Sequence, residues 1–272
     1  MNHFISIDQQ TCIGCGMCAR ECIDQALMEK DGRIFADPSG KCIECGHCIA
    51  ICPTHAVHLT PEAQARGHQE EDILEFAPDS FSVNPQHLLN AIKFRRSMRH
   101  YLPQPVDDDT IRQILEAAKY TPTSANTQSI SYIVLREHKD EVQSLLMRKF
   151  RRIAKIAAFI GRFIKLPINA QRYVDKPDDY LLHGAPVAII AVGNNPLDAS
   201  LATANMELMA EALGLGALHN GIFVGLANIS PTAKKMLGVP RGKKIINCLC
   251  LGYPAVRFRR TVTRNPLRVN WR

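Results

Sequence analysis

Apolar residues recur along this chain with two periods, and the changes of period mark its elements. After Asn84-Pro85, Leu88, Leu89 and Ile92 follow helical spacing, with Asn84 as the cap and Pro85 at the first helical position. Ile111, Ile114, Leu115 and Ala118 predict a second helix over 107–120 with one apolar face. The run at 130–135 predicts a strand, and a long basic helix is expected at 140–160. The apolar stretches at 185–192 and 245–251 are short and read as buried strands, the second continuing to Tyr253. Between them a helix is expected over 198–213, stopped by Gly214, and a short one starts at Ser230-Pro231. Cys248 and Cys250 stand two apart on the last strand, so they share a face and read as small buried residues. Residues 61–84 show no sustained apolar period. They read as a linker, with one helical turn near Ile73-Leu74, between a segment at 1–60 and a larger domain at 85–272.

The chain has 272 residues, 46% hydrophobic and 22% charged, enough for a small module and one larger domain with an ordinary core. Its apolar runs fall well short of the roughly 20 residues of a membrane span. The net charge of +7 hides a division. Residues 1–84 hold 5 Lys/Arg against 13 Asp/Glu, and residues 85–272 hold 28 against 13. An acidic segment tethered to a basic one suits electrostatic docking. The basic stretches at 142–174 and after Glu211 belong to no nucleic-acid motif, so a phosphate-bearing cofactor or an acidic partner is expected and nucleic acid is not. Arg148-Lys149-x-Arg151-Arg152-x-x-Lys155 is either a docking surface for an acidic carrier or a solvated helix face.

Eight of the ten cysteines lie in two copies of one spacing. These are Cys12-x-x-Cys15-x-x-Cys18-x-x-x-Cys22 and Cys42-x-x-Cys45-x-x-Cys48-x-x-x-Cys52-Pro53. This is the bacterial run for two [4Fe–4S] clusters, in which the fourth cysteine of each run serves the other cluster. Cys12, Cys15, Cys18 and Cys52 are therefore expected to hold one cluster, and Cys42, Cys45, Cys48 and Cys22 the other. Gly14, Gly16 and Gly46 let the backbone turn at positive φ around the clusters. Ile23 departs from the terminal proline of the motif without removing a ligand. A zinc site calls for two cysteine pairs or three cysteines and a histidine rather than two such runs. Disulfides call for a secreted context, and the start at 1–8 has no signal-peptide pattern, so a cytoplasmic protein is expected.

Three further segments carry a resemblance. Arg95-Arg96-Ser97-x-Arg99-x-Tyr101, Pro122-Thr123-Ser124-x-Asn126-x-Gln128, and Asn205-Met206-x-Leu208-x-Ala210 through Gly214-Leu215-Gly216 resemble the FMN-dependent nitroreductase family. The closing Leu251-Gly252-Tyr253-Pro254 and Arg264-Asn265-Pro266-Leu267 fit too. Together with the cysteine runs, the whole chain resembles the ferredoxin-fused nitroreductases. The resemblance implies an α+β fold: a small bacterial-ferredoxin-like domain followed by an α/β domain with a central mixed sheet flanked by helices.

It also implies a site. Arg95, Arg96, Ser97 and Arg99 would bind the FMN phosphate and ribityl chain, closed by Arg264 and Arg260. Pro122, Thr123, Ser124, Asn126 and Gln128 would approach the ring of a partner subunit in a homodimer. Ser129-Ile130 stands where the family has Pro-Trp. Backbone N–H groups of Gly216, Ala217 and Leu218 would face the isoalloxazine. His219 replaces an aromatic there and reads equally as proton donor or structural residue, so no catalytic residue is assigned. The implied activity passes electrons from a ferredoxin-type carrier through both clusters to FMN and on to a small organic acceptor of nitroaromatic, quinone or activated-alkene class. Reduction of FMN by NAD(P)H with the clusters as outlets, or a non-enzymatic electron carrier, are the alternatives.

Overall fold

A computed structural model describes residues 4–37, 40–160 and 174–272. It divides into two compact units, one of residues 1–82 with 123–127 and one of 83–122 with 128–272. Arg162, Lys165 and Arg172 of the basic stretch lie outside the described residues.

The first unit repeats itself at an interval of thirty residues. In order it contains β1 (Ile5–Ile7), α1 (Met17–Glu21), β2 (Leu27–Lys30), β3 (Arg33–Ala36), α2 (His47–Ala50), β4 (Val57–Leu59), α3 (Pro61–Ala65) and α4 (Pro78–Phe81). β1 pairs antiparallel with β4, Ile5 opposite Leu59, and β2 with β3, Leu27 opposite Ala36. Left-handed backbone recurs at matched places: Gly14 and Glu44 at φ 68° and 58°, Gly16 and Gly46 at 71° and 74°, Gln25 and His55 at 51° and 52°. Gly16 and Gly46 each open the short helix that carries the third cysteine of a run. Two small cores support these loops. One gathers Phe4, Leu59 and Ala63, and the other Cys18, Leu27 and Ile34. The first half of the expected linker thus carries α3, whose Ala63 is buried and whose Thr60 cap accepts from the Ala63 N–H at 3.2 Å. The single helical turn expected near Ile73 is a 3-10 turn at Glu70–Asp72, closed by the Ile73 N–H on the Glu70 carbonyl, and Ile73 itself is extended.

The second unit contains α5 (Pro85–Phe94), α6 (Asp108–Lys119), β5 (Ser131–Leu135), α7 (Lys139–Ile160), β6 (Val187–Gly193), α8 (Pro196–Ala212), β7 (Gly216–His219), α9 (Gly221–Asn228), α10 (Pro231–Met236) and β8 (Lys244–Gly252). The expected helix caps are in place: Asn84 accepts from the His87 N–H and Asp107 from the Thr110 N–H. The strand order is β5-β6-β8-β7, and every described pairing is antiparallel. β6 is buried along its whole length, which explains its unbroken apolar run. One core, with Leu146, Ile190, Phe223 and Cys248, packs on one face of the sheet. Another, with Ile114, Ile189, Met206 and Leu249, packs on the other. Alternate residues of β6 and β8 thus serve opposite layers. Cys248 and Cys250 are fully buried. Among the described residues, no helix is long and apolar enough to cross a membrane.

Candidate cofactor sites

In the first unit a cavity of about 260 Å³ is lined by Cys22 together with Cys42, Cys45 and Cys48. Its remaining wall is largely apolar, including Phe4, Ile23, Leu27 and Ile43. On the other side of the repeat, the charges that bear on the Cys18 thiol are those of Cys52 and Cys15. Backbone N–H groups already point at the sulfurs: Ala26 N–H at Cys22 Sγ and Ala56 N–H at Cys52 Sγ, both at 3.2 Å, and Glu44 N–H at Cys42 Sγ at 3.4 Å. Such bonds favour thiolate and tune a bound cluster. Burial works in the opposite direction. It pushes the Cys48 thiol up to about 12, with the neighbouring Cys42 adding to the rise, and it raises Cys18 and Cys42. The positive charge of a bound metal would offset that rise. Among the described residues no set of three or more His, Cys, Asp or Glu side chains closes tightly enough to hold a metal ion. The cavity does, however, bring Cys22 of the first run to the same wall as Cys42, Cys45 and Cys48 of the second.

In the second unit, hydrogen bonds stitch the arginine segment onto the sheet. The Met98 N–H donates to the Ala217 carbonyl on β7 at 2.9 Å. Tyr101 Oη donates to the Met98 carbonyl at 3.0 Å and the Cys250 carbonyl at 3.3 Å. The Leu102 N–H donates to Tyr253 at 2.8 Å, and the Ala255 N–H to His100 at 2.9 Å. Gly216 permits the approach, since a Cβ there would stand 2.7 Å from Met98 Cγ. Arg95–Arg99 thus lies against Gly216–Leu218 and Tyr253–Ala255, both more than a hundred positions further along the sequence.

The arginines within it differ. Arg95 is committed to Glu207 on α8, Nη1 to Oε1 at 2.8 Å. Arg96 folds onto backbone, donating to the Lys93 carbonyl at 2.7 Å and the Arg95 carbonyl at 2.5 Å. Arg99 bonds the Ser97 carbonyl at 3.4 Å. No carboxylate pairs with Arg96 or Arg99 among the described residues, so their charge suits a phosphate. Ser97 lies between them, partly buried.

The other expected site residues belong to other segments, Pro122 and Gln128 to the second unit. Thr123–Thr127 group with the first unit, where Asn126 Nδ2 donates to the Ile43 and Glu44 carbonyls at 3.1 and 2.9 Å. Ala125, Asn126 and Gln128 all have positive φ, an unusual density for non-glycine residues. Arg260 and Arg264 are exposed in the segment beyond β8, which has no regular secondary structure.

Sequence reasoning missed the polar network behind β7. Glu207 is buried and accepts from Arg95 on one oxygen, while its other oxygen meets His219 Nε2 at 3.3 Å. His219 Nδ1 meets Asn247 Oδ1 at 3.1 Å, and Asn247 Nδ2 donates to Thr203 Oγ1 at 2.9 Å. The available signal was an acid four residues after Thr203 on the helix stripe that also carries Ala199, Met206 and Ala210.

An antiparallel sheet covered by helices on both faces, in one chain with an eight-cysteine double-loop module, defines the class. Residues 92–253 match the nitroreductase family and residues 4–53 match the 4Fe-4S dicluster domain. The chain belongs to the nitroreductase family and is an oxidoreductase of that family fused to an iron–sulfur domain. A Methanothermobacter thermautotrophicus protein described provisionally as an NADH dehydrogenase/NAD(P)H nitroreductase is 26% identical over 182 residues, 64% of this chain and 80% of that protein. The fold is shared with a nitroreductase with bound FMN from Bacteroides fragilis, with 22% identity and TM-score 0.53 over 70% of this chain and 100% of the other. It is shared also with one from Desulfitobacterium hafniense, with 19% identity and TM-score 0.54 over 70% and 100%.

Proposed function

We propose that this protein is an FMN- and iron–sulfur-dependent reductase of a small organic acceptor of the nitroaromatic, quinone or activated-alkene class. The observation that carries the proposal is the docking of the arginine segment on β7, which puts Arg96 and Arg99 on the segment that lies against Gly216 and Ala217. Arg96 and Arg99 would take the phosphate with Ser97. Arg95, held by Glu207, would act as the fixed end of the cradle. Gly216 to Leu218 would carry the ring. Arg260 and Arg264, and the loop Pro122, Thr123, Ser124, Asn126 and Gln128, complete the site in a homodimer. FMN supplies two-electron storage and hydride delivery, and the clusters supply single electrons. Cys12, Cys15, Cys18 and Cys52 would bind one cluster and Cys42, Cys45, Cys48 and Cys22 the other, a reading supported by the four cysteines that line one cavity.

Anaerobic purification followed by counts of iron, sulfide and FMN tests the assignment. Two clusters and one FMN per chain are expected. Arg95→Ala combined with Arg99→Ala should lower FMN occupancy and leave iron unchanged, and unchanged flavin would sink the cradle. Cys22→Ala should damage the cluster of the second run, and loss confined to the first run would refute crossed ligation. The donor is a ferredoxin-type carrier or NAD(P)H. Rapid mixing with each, watching cluster and flavin absorbance separately, distinguishes them.

A further inference from the structure

His219 stands at the end of β7, one residue beyond the proposed flavin-facing backbone, and both of its ring nitrogens meet acceptors. Nε2 faces a carboxylate oxygen of Glu207 at 3.3 Å. Nδ1 faces Oδ1 of Asn247 at 3.1 Å. The orientation of that amide follows from its far end. Asn247 Nδ2 reaches Thr203 Oγ1, and the Thr203 hydroxyl donates to the Ala199 carbonyl at 2.9 Å, so its oxygen accepts from Asn247. The amide oxygen is thereby left for the imidazole. A neutral imidazole carries one N–H and satisfies one acceptor, whereas an imidazolium satisfies both.

We infer that His219 is a standing imidazolium, clamped by Glu207 and Asn247, that serves as a fixed cation favouring the anionic form of the reduced ligand bound over β7. The inference rests on the FMN reading above. Glu207 is shared by two cations, Arg95 and His219, so its single negative charge does not offset both. The neighbouring charges are few. Glu211, one turn further along α8, is the other carboxyl near Glu207; burial, followed by the charge of Glu207, raises it, and Arg95 works in the opposite direction. The hydrogen bond that His219 donates to Glu207 raises the imidazole above its ordinary value, against the opposing effects of burial and of Arg95. About a third of the His219 side chain stays exposed, 36%, so its charge is felt at the mouth of the site rather than only inside the fold. A reduced isoalloxazine that loses a proton becomes an anion, and a cation held beside it lowers its energy in a partly desolvated site.

Two measurements test this, one independent of flavin. Histidine ring ¹⁵N spectra of the oxidised protein, with His219 identified by its loss in His219→Gln, should show both nitrogens protonated at neutral pH. The ring should titrate above the ordinary histidine value, and Glu207→Gln should lower its midpoint. An unprotonated ring nitrogen at neutral pH would overturn the inference. The midpoint potential of bound FMN, followed by spectroelectrochemistry, should fall in His219→Gln. About a tenfold shift in the oxidised-to-reduced ratio at fixed potential is expected, equivalent to about 30 mV for a two-electron couple. A charged ring with an unmoved potential would overturn the electrostatic role. Purified wild-type protein that binds no FMN would instead overturn the flavin reading and the redox role with it, while the ring spectra would still decide the charge.

Discussion

A Cβ on Gly14 would lie 1.8 Å from the Gly32 carbonyl oxygen, against backbone that cannot move aside, and its φ of +68° already disfavours a side chain. Gly14→Ala should therefore destabilise the first unit by more than about 1 kcal/mol and lower its iron content, measured by iron assay and thermal melting. The atoms nearest a Cβ on Gly216 all belong to the Met98 side chain, so Gly216→Ala should cost about 1–3 kcal/mol of overpacking and lower FMN occupancy while iron stays constant. The Glu207–His219 pair adds a pH signature. Burial raises Glu207, but its bond and charge contact with His219, and Arg95 beyond, outweigh burial and hold it below its ordinary value of 4.5. His219 is raised above 6.5. The pair's contribution is thus full between about pH 4.5 and 6.5. It fades as pH falls through the depressed Glu207 value or rises through the raised His219 value. Denaturant titrations across pH should show the stability gap between wild type and Glu207→Gln widest in that window. At this scale the cysteines and their glycines were legible because their chemistry depends on local spacing. The Glu207–His219–Asn247 network was not, because its members come from α8, β7 and β8 and meet only in the folded sheet.

Elements with a cap and a period were readable from sequence: α5, α6, β5, α7, β6, α8, α10 and β8 all fall within a few residues of expectation. β7 and α9 were not. Four residues of β7 are too few to establish alternation, and α9, Gly-Ile-Phe-Val-Gly-Leu-Ala-Asn, is apolar on most of its circumference and carries no helical stripe. Tertiary packing decides both, and Asn220 joins them. Its Oδ1 accepts from the Phe223 N–H at 2.9 Å to cap α9, its N–H donates to the Cys248 carbonyl at 2.8 Å, and its Nδ2 donates to the Leu181 carbonyl at 2.5 Å. Asn220→Ala leaves the buried Leu181 carbonyl and the helix end without partners. It should cost about 2–3 kcal/mol, read as a lower denaturant midpoint with unchanged slope. The strand order β5-β6-β8-β7 was likewise beyond pattern reading, since periodicity says which residues alternate and not which strand lies beside which.

The two units differ in how much core each possesses. The second has two extensive layers on either face of its sheet, and the first has two clusters of a few side chains each, with cysteine itself among the buried residues. A module that small depends on staples. Removing iron with a chelator should strip hydrogen-exchange protection from amides of β1 to β4 while those of β6 and β8 keep theirs. Equal loss in both would contradict the division of the core. The charge division read from sequence falls close to the boundary between the units, so composition located it, although it could not assign Thr123–Thr127 to the first unit.

The thirty-residue recurrence of left-handed positions gives this molecule its own experimental control. A change made at residue 16 has a twin at 46, and one at 25 a twin at 55, in the same preparation and at the same temperature. Any difference in outcome between twins is attributable to local neighbours alone. The first comparison to make is Gly14, pressed against Gly32, with Glu44, which holds the same backbone angle while keeping a side chain.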